Sequence, residues 1–222
     1  VSEMTIRRDL HLLEEQGYAT IHYGGAALLD RQNIGCQSFS LRKGKESENK
    51  RKIARKAASF IKEGDVLFMD TSTTVLEILT YMPAFRVKII TNSVPVMEAV
   101  YRDENIDLYM APGLYRSAGG PFDYATAEYL SRFHYNKAFF GSTSYDPVFG
   151  TSAAEENEAA VKKCVLGNSD ENYLLIDHSK MGKRSFVKYA DTVDYTGILS
   201  DEELEIDWRT KITRNGGKLI LC

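Results

Sequence analysis

Val66-Leu67-Phe68-Met69-Asp70-Thr71-Ser72-Thr73-Thr74-Val75-Leu76-Glu77-Ile78-Leu79 is the stretch on which the fold turns. Val66–Met69 is a short continuous apolar run, the pattern of a strand buried on both faces. From Val75 to Met82 the apolar spacing is helical. Between them lie an acid and four hydroxyl residues. A strand running through a short polar loop into a helix is the opening half of a β-α-β unit, and such units build parallel sheets.

The same rhythm continues outward. Val87–Thr91, Ile106–Met110, Lys137–Phe140, Tyr173–Ile176, Tyr195–Leu199 and Lys218–Leu221 read as further strands. Val94–Tyr101, Ala125–Phe133, Glu155–Val165 and Asp201–Thr210 read as the helices between them. The fold class expected from Ile53 onward is α/β, with a largely parallel sheet and flanking helices. Sheets of this kind bind ligands beyond the carboxyl ends of their strands. The Asp70–Thr74 loop occupies such a place: hydroxyls and backbone N–H groups at a helix N-terminus favour an anion, with a sugar phosphate a natural guest. Ser and Thr are also the commonest helix caps, so an ordinary N-cap explains the loop equally well.

The 222 residues, 43% hydrophobic and 27% charged, suit a globular chain with a substantial core. No apolar run is long enough to cross a bilayer and no secretory leader is visible at Val1, so a soluble cytoplasmic protein with no membrane partner is expected. Cys36, Cys164 and Cys222 fit neither a disulfide framework nor a zinc ribbon and are expected to be reduced thiols. His11, His22, His134 and His178 have no metal-ligand spacing, so neither metal nor cofactor is expected, and His178 reads as a loop or packing residue. Net charge is −3, yet residues 1–52 carry 9 Lys/Arg against 7 Asp/Glu. A mildly basic front precedes an acidic body.

In that front, Ser2 can cap a helix over about residues 3–16, with Met4, Ile6, Leu10 and Leu13 facing a core and Gly17 ending it. Ser2, Thr5, Arg7, Arg8 and His11 are left for solvent, side chains suited to base edges and phosphates; solvated or paired arginines are the plainer alternative. Tyr18–Ala26, rich in β-formers and closed by Gly24-Gly25, reads as a short hairpin. Residues 30–52 read as a charged linker running into a helix.

Ser2-Glu3-Met4-Thr5-Ile6-Arg7-Arg8-Asp9-Leu10, then Leu13-Glu14, Gly17 and Gly24-Gly25-Ala26, closely resemble the recognition helix and wing of the DeoR family of bacterial transcriptional repressors. That motif has two earlier helices, so the sequence is expected to begin inside it. The wing departs from the family pattern, with Ile21 and Tyr23 where an Arg and a His are usual. Asp70–Thr74, Thr91-Asn92-Ser93, Gly113, Glu158-Ala159-x-Val161-Lys162 and Asp177-His178-Ser179-Lys180-x-Gly182 follow in the order of the DeoR effector domain, similar in fold to ribose-5-phosphate isomerase and glucosamine-6-phosphate deaminase. Pro112-Gly113 stands where the family has paired glycines, and Asp123 or Tyr124 where it has a glycine before the next helix.

The resemblance implies a partial winged helix-turn-helix at 1–29, a linker at 30–52 and an effector domain at 53–222. It implies operator contacts from Ser2, Thr5, Arg7, Arg8 and His22, and effector contacts from Asp70, Thr71, Ser72, Thr73, Thr74, Thr91, Asn92, Ser93, Gly113, Lys162 and Lys180. Its partners would be operator DNA, a phosphorylated sugar and a second copy, as homodimer or homotetramer. On the residues alone, Asn92 reads as well as a turn former, Lys180 as a solvated loop lysine, and Lys162 as an i,i+4 partner of Glu158. The rival reading is a sugar-phosphate isomerase or deaminase, with Asp146, Glu155, Glu156 or Glu158 as base. The glycine-rich catalytic segment of those enzymes has no counterpart, so no catalytic residues are expected.

Overall fold

A computed structural model describes residues 3–15, 19–22, 25–28, 39, 42, 47–115 and 119–222. The chain divides into two units, Val1–Gln37 and Ser38–Cys222. In the first, helix α1 (Glu3–Glu15) precedes antiparallel strands β1 (Ala19–His22) and β2 (Gly25–Leu28), paired from Ala19↔Leu28 to His22↔Gly25. The Ile21 amide donates to the Glu14 carboxylate at 2.9 Å, tying strand to helix. Met4 and Ile6, expected in a core, are 82% and 50% exposed. One helix and one hairpin, the only described elements of this unit, are too little surface to cover them. Arg7 and Arg8 are exposed as expected, and Thr5 is half-buried. Ser2, Gly17, Tyr23, Gly24 and Cys36, the His22 side chain and most of 30–46 lie outside what is described.

The second unit opens with α2 (Ser47–Ala58), so residues 47–52, expected to end the linker, form the first half of a helix. Ile53, Ala54, Ala57 and Ala58 bury its inner face. In chain order follow β3 (Val66–Met69), α3 (Thr73–Tyr81), β4 (Val87–Thr91), α4 (Val94–Val100), β5 (Ile106–Met110), α5 (Tyr124–Leu130), β6 (Tyr135–Gly141), β7 (Ser144–Asp146), β8 (Gly150–Ala153), α6 (Glu156–Gly167), β9 (Ser169–Leu175), β10 (Val187–Ala190), β11 (Gly197–Ser200), α7 (Ile206–Arg214) and β12 (Leu219–Leu221). Seven strands form one sheet in the order β12-β11-β9-β6-β3-β4-β5, every pairing parallel. Alternation along a strand divides the core. Leu67 and Met69 face the α2 and α3 side, while Phe68 joins Leu130, Phe140, Val161 and Ile198 on the other. Three short strands, β10-β8-β7, make a separate antiparallel sheet absent from the sequence reading.

The strand order locates the chemistry. From β3 the chain winds outward through β4 and β5, then returns to β6 on the other flank of β3. The crevice between the carboxyl ends of β3 and β6 is therefore the topological switch point, where open parallel sheets take their ligands. The opposite end of the same strands is closed by a buried ion pair, Lys137 to Asp65 at 2.8 Å, and by the Val66 amide donating to the Asn136 side chain.

Candidate functional site

Asp70 directly follows β3 and Gly141 ends β6. The Gly141 amide donates to Asp70 Oδ2 at 3.0 Å, stitching the two strands across the crevice. Into this junction α6 projects Lys162, whose ammonium donates to Asp70 Oδ2 and to the Gly141 carbonyl, each at 2.7 Å, and lies 3.4 Å from Glu158. The sequence shows only the Glu158 spacing; the principal partner is 92 residues away. The Lys162 and Asp70 side chains are 4% and 1% exposed. Burial works against the ammonium, but Asp70, with Tyr189 and Glu158, outweighs it and holds Lys162 above the ordinary lysine range, hence charged. Burial pushes the Glu158 carboxyl up against the pull of Lys162. Tyr189 of β10 places its ring 5.5 Å from the ammonium, so the small sheet walls the junction.

Ser72 is the N-cap of α3, its Oγ accepting from the Thr74 and Val75 amides. The cap reading of this loop is thus realised by one residue. The helix begins at Thr73, two residues before the expected start. Among the described residues, the Thr71 and Thr73 amides and the Thr71, Thr73 and Thr74 hydroxyls have no recorded partner. Asp70 Oδ1 is buried without a partner as well. Ser72 also needs Gly141: a Cβ there would lie 2.2 Å from Ser72 Oγ.

Thr91-Asn92-Ser93 is wholly buried beside this loop. The Thr91 hydroxyl donates to the Met69 carbonyl, Ser93 caps α4, and Asn92 donates to the Pro121 carbonyl at 3.0 Å while its Oδ1 has no partner. A Cβ on Gly120 would fall 1.7 Å from the Asn92 carbonyl and 2.8 Å from Thr71, so the backbone approaches closely here and only glycine fits. Asp123 instead caps α5 and accepts from the Leu114 amide at 2.7 Å, which with the Thr126 amide holds its carboxyl below the usual range. Gly113 packs on Pro121, Asp123 and Thr126, away from the Asp70–Lys162 pair. Lys180 is half-buried and reaches Ser179 at 3.0 Å and Asp177 at 3.8 Å in its own loop. Lys180 and Gly113 are the two expected effector residues that the structure leaves outside the junction.

Residues 45–202 match the family model described as the DeoR C terminal sensor domain, and residues 1–32 the DeoR-like helix-turn-helix domain. The chain belongs to the DeoR family of transcriptional regulators. It is 33% identical over 222 residues to the HTH-type transcriptional repressor GlcR of Bacillus subtilis, covering 100% of this chain and 85% of that protein. A lactose phosphotransferase system repressor of Staphylococcus epidermidis is 32% identical over 216 residues, 96% of this chain and 85% of the relative. Among solved structures, eIF2B delta from Chaetomium thermophilum shares the fold, with TM-score 0.51, 16% identity and coverage of 72% of this chain and 57% of that one. A ribose 5-phosphate isomerase from Methanocaldococcus jannaschii matches at TM-score 0.45 and 19% identity over 62% of this chain and 56% of that one. This chain therefore spans little more than half of each of those solved chains. Among the described residues, no helix of this DeoR-family protein is long and apolar enough to cross a membrane.

Proposed function

We propose that the chain is a repressor of sugar-metabolism genes, binding operator DNA through α1 and the β1-β2 wing and releasing it when a phosphorylated sugar occupies the crevice between β3 and β6. The observation that carries this reading is the convergence, at the topological switch point, of the buried Asp70–Lys162 pair with the hydroxyl-lined start of α3. The phosphate lies against the Thr71 and Thr73 amides and the Thr71, Thr73 and Thr74 hydroxyls. Asp70 and Asn92, both buried, shape the sugar side of the crevice, and Lys162 holds Asp70 in place. Lys180, paired with Asp177 outside the junction, reaches the phosphate by leaving that pair. Ser2, Thr5, Arg7, Arg8 and His22 contact operator DNA. Its relatives, a transcriptional repressor and a repressor of a lactose phosphotransferase system, support the same reading.

Catalysis is the weaker reading because the carboxylates that would serve as a base are engaged or remote. Asp146 accepts from the Val148 and Phe149 amides and pairs with Arg184, Glu158 pairs with Lys162, and Glu155 and Glu156 are exposed. As a regulator the chain acts in the cytoplasm as a homodimer or homotetramer, whose symmetry matches paired half-sites. The test is fluorescence anisotropy on a DNA fragment selected by the protein from a random pool. A cognate hexose or pentose phosphate raises the DNA dissociation constant about 5- to 150-fold, the usual span of allosteric coupling. A panel of sugar phosphates with no effect overturns the reading.

A further inference from the structure

Four histidines without metal spacing give no ligand motif along the chain, but folding assembles one. His178 follows β9, and Asp201 and Glu203 follow β11, the strand paired beside it. His178 Nδ1 lies 2.9 Å from Asp201 Oδ1 and 3.8 Å from Glu203 Oε2, and one ligand atom from each of the three falls within 4.8 Å of the others. At 2.9 Å the imidazole and the carboxylate share a hydrogen bond, the position a metal ion can take over. Around a tetrahedral zinc-class ion, ligand atoms sit roughly 3.4 Å apart, between the two observed separations.

The two carboxylates are held in place from behind. The His178 backbone amide donates to Asp201 Oδ2 at 2.8 Å, the Glu203 amide donates to Asp201 Oδ1 at 3.1 Å, and Asn49 of α2 donates to Glu203 Oε1 at 3.1 Å. Asp201 is buried, while Glu203 and the His178 ring reach the surface, leaving an entry path. Outer partners that orient the carboxylate ligands are a common feature of metal sites.

We propose that His178, Asp201 and Glu203 bind one divalent transition-metal ion of the zinc class. One imidazole and two carboxylates suit that class, and three protein ligands leave a fourth position for water or a small ligand. The ion takes the place of the hydrogen between His178 Nδ1 and Asp201 Oδ1. It fastens the turn carrying Lys180 to the first turn of α2.

The test is calorimetric titration of the chelator-treated chain with zinc chloride, repeated for variants. Wild type takes up one zinc per chain. His178→Ala and Glu203→Gln each weaken it about tenfold or more, while Glu202→Gln, altering a neighbouring acid outside the cluster, leaves it unchanged. His178→Ala keeps the amide tie to Asp201, so the loop stays folded. Cobalt substitution gives d–d absorption without the near-ultraviolet thiolate charge-transfer band. No saturable zinc binding, undiminished binding in His178→Ala, or a thiolate band showing capture by cysteine overturns the proposal.

Discussion

Lys162→Met removes one partner of a buried ion pair and keeps the volume of the side chain. In the folded chain Asp70 Oδ2 then has only the Gly141 amide, and Oδ1 already lacks a partner. At 2.7 Å the gross attraction is about 6 kcal/mol at an effective dielectric constant of ~20, and desolvation of both ions offsets much of it. Removing one ion leaves the other buried and uncompensated, which costs about 3–5 kcal/mol. For a chain of this size that lowers the melting temperature by roughly 6–20 °C. Urea unfolding with linear extrapolation measures it, beside Lys52→Met. Lys52 sits 3.7 Å from Glu48, but the side chains are 50% and 78% exposed, so its loss is below about 1 kcal/mol. Asp70→Asn combined with Lys162→Met recovers part of the deficit. Since the folded Lys162 lies above its unfolded value, the pair's contribution is fully present below about pH 10.4 and is lost as pH rises through the folded value. A Lys162→Met deficit under 1 kcal/mol at neutral pH refutes the reasoning.

Asp123→Ala removes the cap of α5 and lowers unfolding free energy by about 1 kcal/mol in the same assay. Gly120→Ala forces a Cβ against the Asn92 carbonyl and destabilises by about 1–3 kcal/mol or more, read as a drop in melting temperature. Burial pushes the Asp146 carboxyl up, but the Phe149 and Val148 amides and Arg184 outweigh it and hold it below the ordinary range. Its contribution is present above the unfolded value near pH 3.9 and is lost as pH falls through the folded one, so Arg184→Ala shallows the acid limb of a stability–pH curve. Arg8→Ala weakens operator binding by about 1–3 kcal/mol at one base position if Arg8 reads a base, and weakens all sequences alike if it touches only phosphate.

The ends of β3, β4 and β5 are legible to the residue: β3 is an apolar run, β4 one broken only by the exposed Lys88, and β5, at the sheet edge, alternates half-buried Ile106, Leu108 and Met110 with exposed Asp107 and Tyr109. Strands β6 and β9 extend past their apolar cores into Asn136 and Ser169–Asn172, whose backbones pair although their side chains do not advertise a strand. The small sheet was hidden for a related reason: Ser144-Tyr145-Asp146 and Gly150-Thr151-Ser152-Ala153 carry polar residues into burial. Helix α2 hid among charges, since Asn49 and Lys50 are buried polar residues. Helix α7 begins at Ile206, five residues after the expected start, because Asp201 is occupied in accepting from the His178 and Glu203 amides. The Asp70–Thr74 loop was visible as a strand-to-helix turn. The partnership of Asp70 with Lys162 was not, because local spacing offers Lys162 only Glu158.

Calorimetry tests the proposed phosphate site at the start of α3 most directly. Sugar phosphates and their unphosphorylated counterparts are titrated into wild type, Thr73→Val, Thr74→Val and Lys180→Ala. One sugar phosphate is expected to bind and its free sugar not. Each threonine variant, lacking only a hydroxyl, loses about tenfold affinity, the worth of one hydrogen bond to a charged group, and Lys180→Ala loses less than that. Equal affinity for phosphate and free sugar, or threonine variants that bind as wild type does, contradicts it.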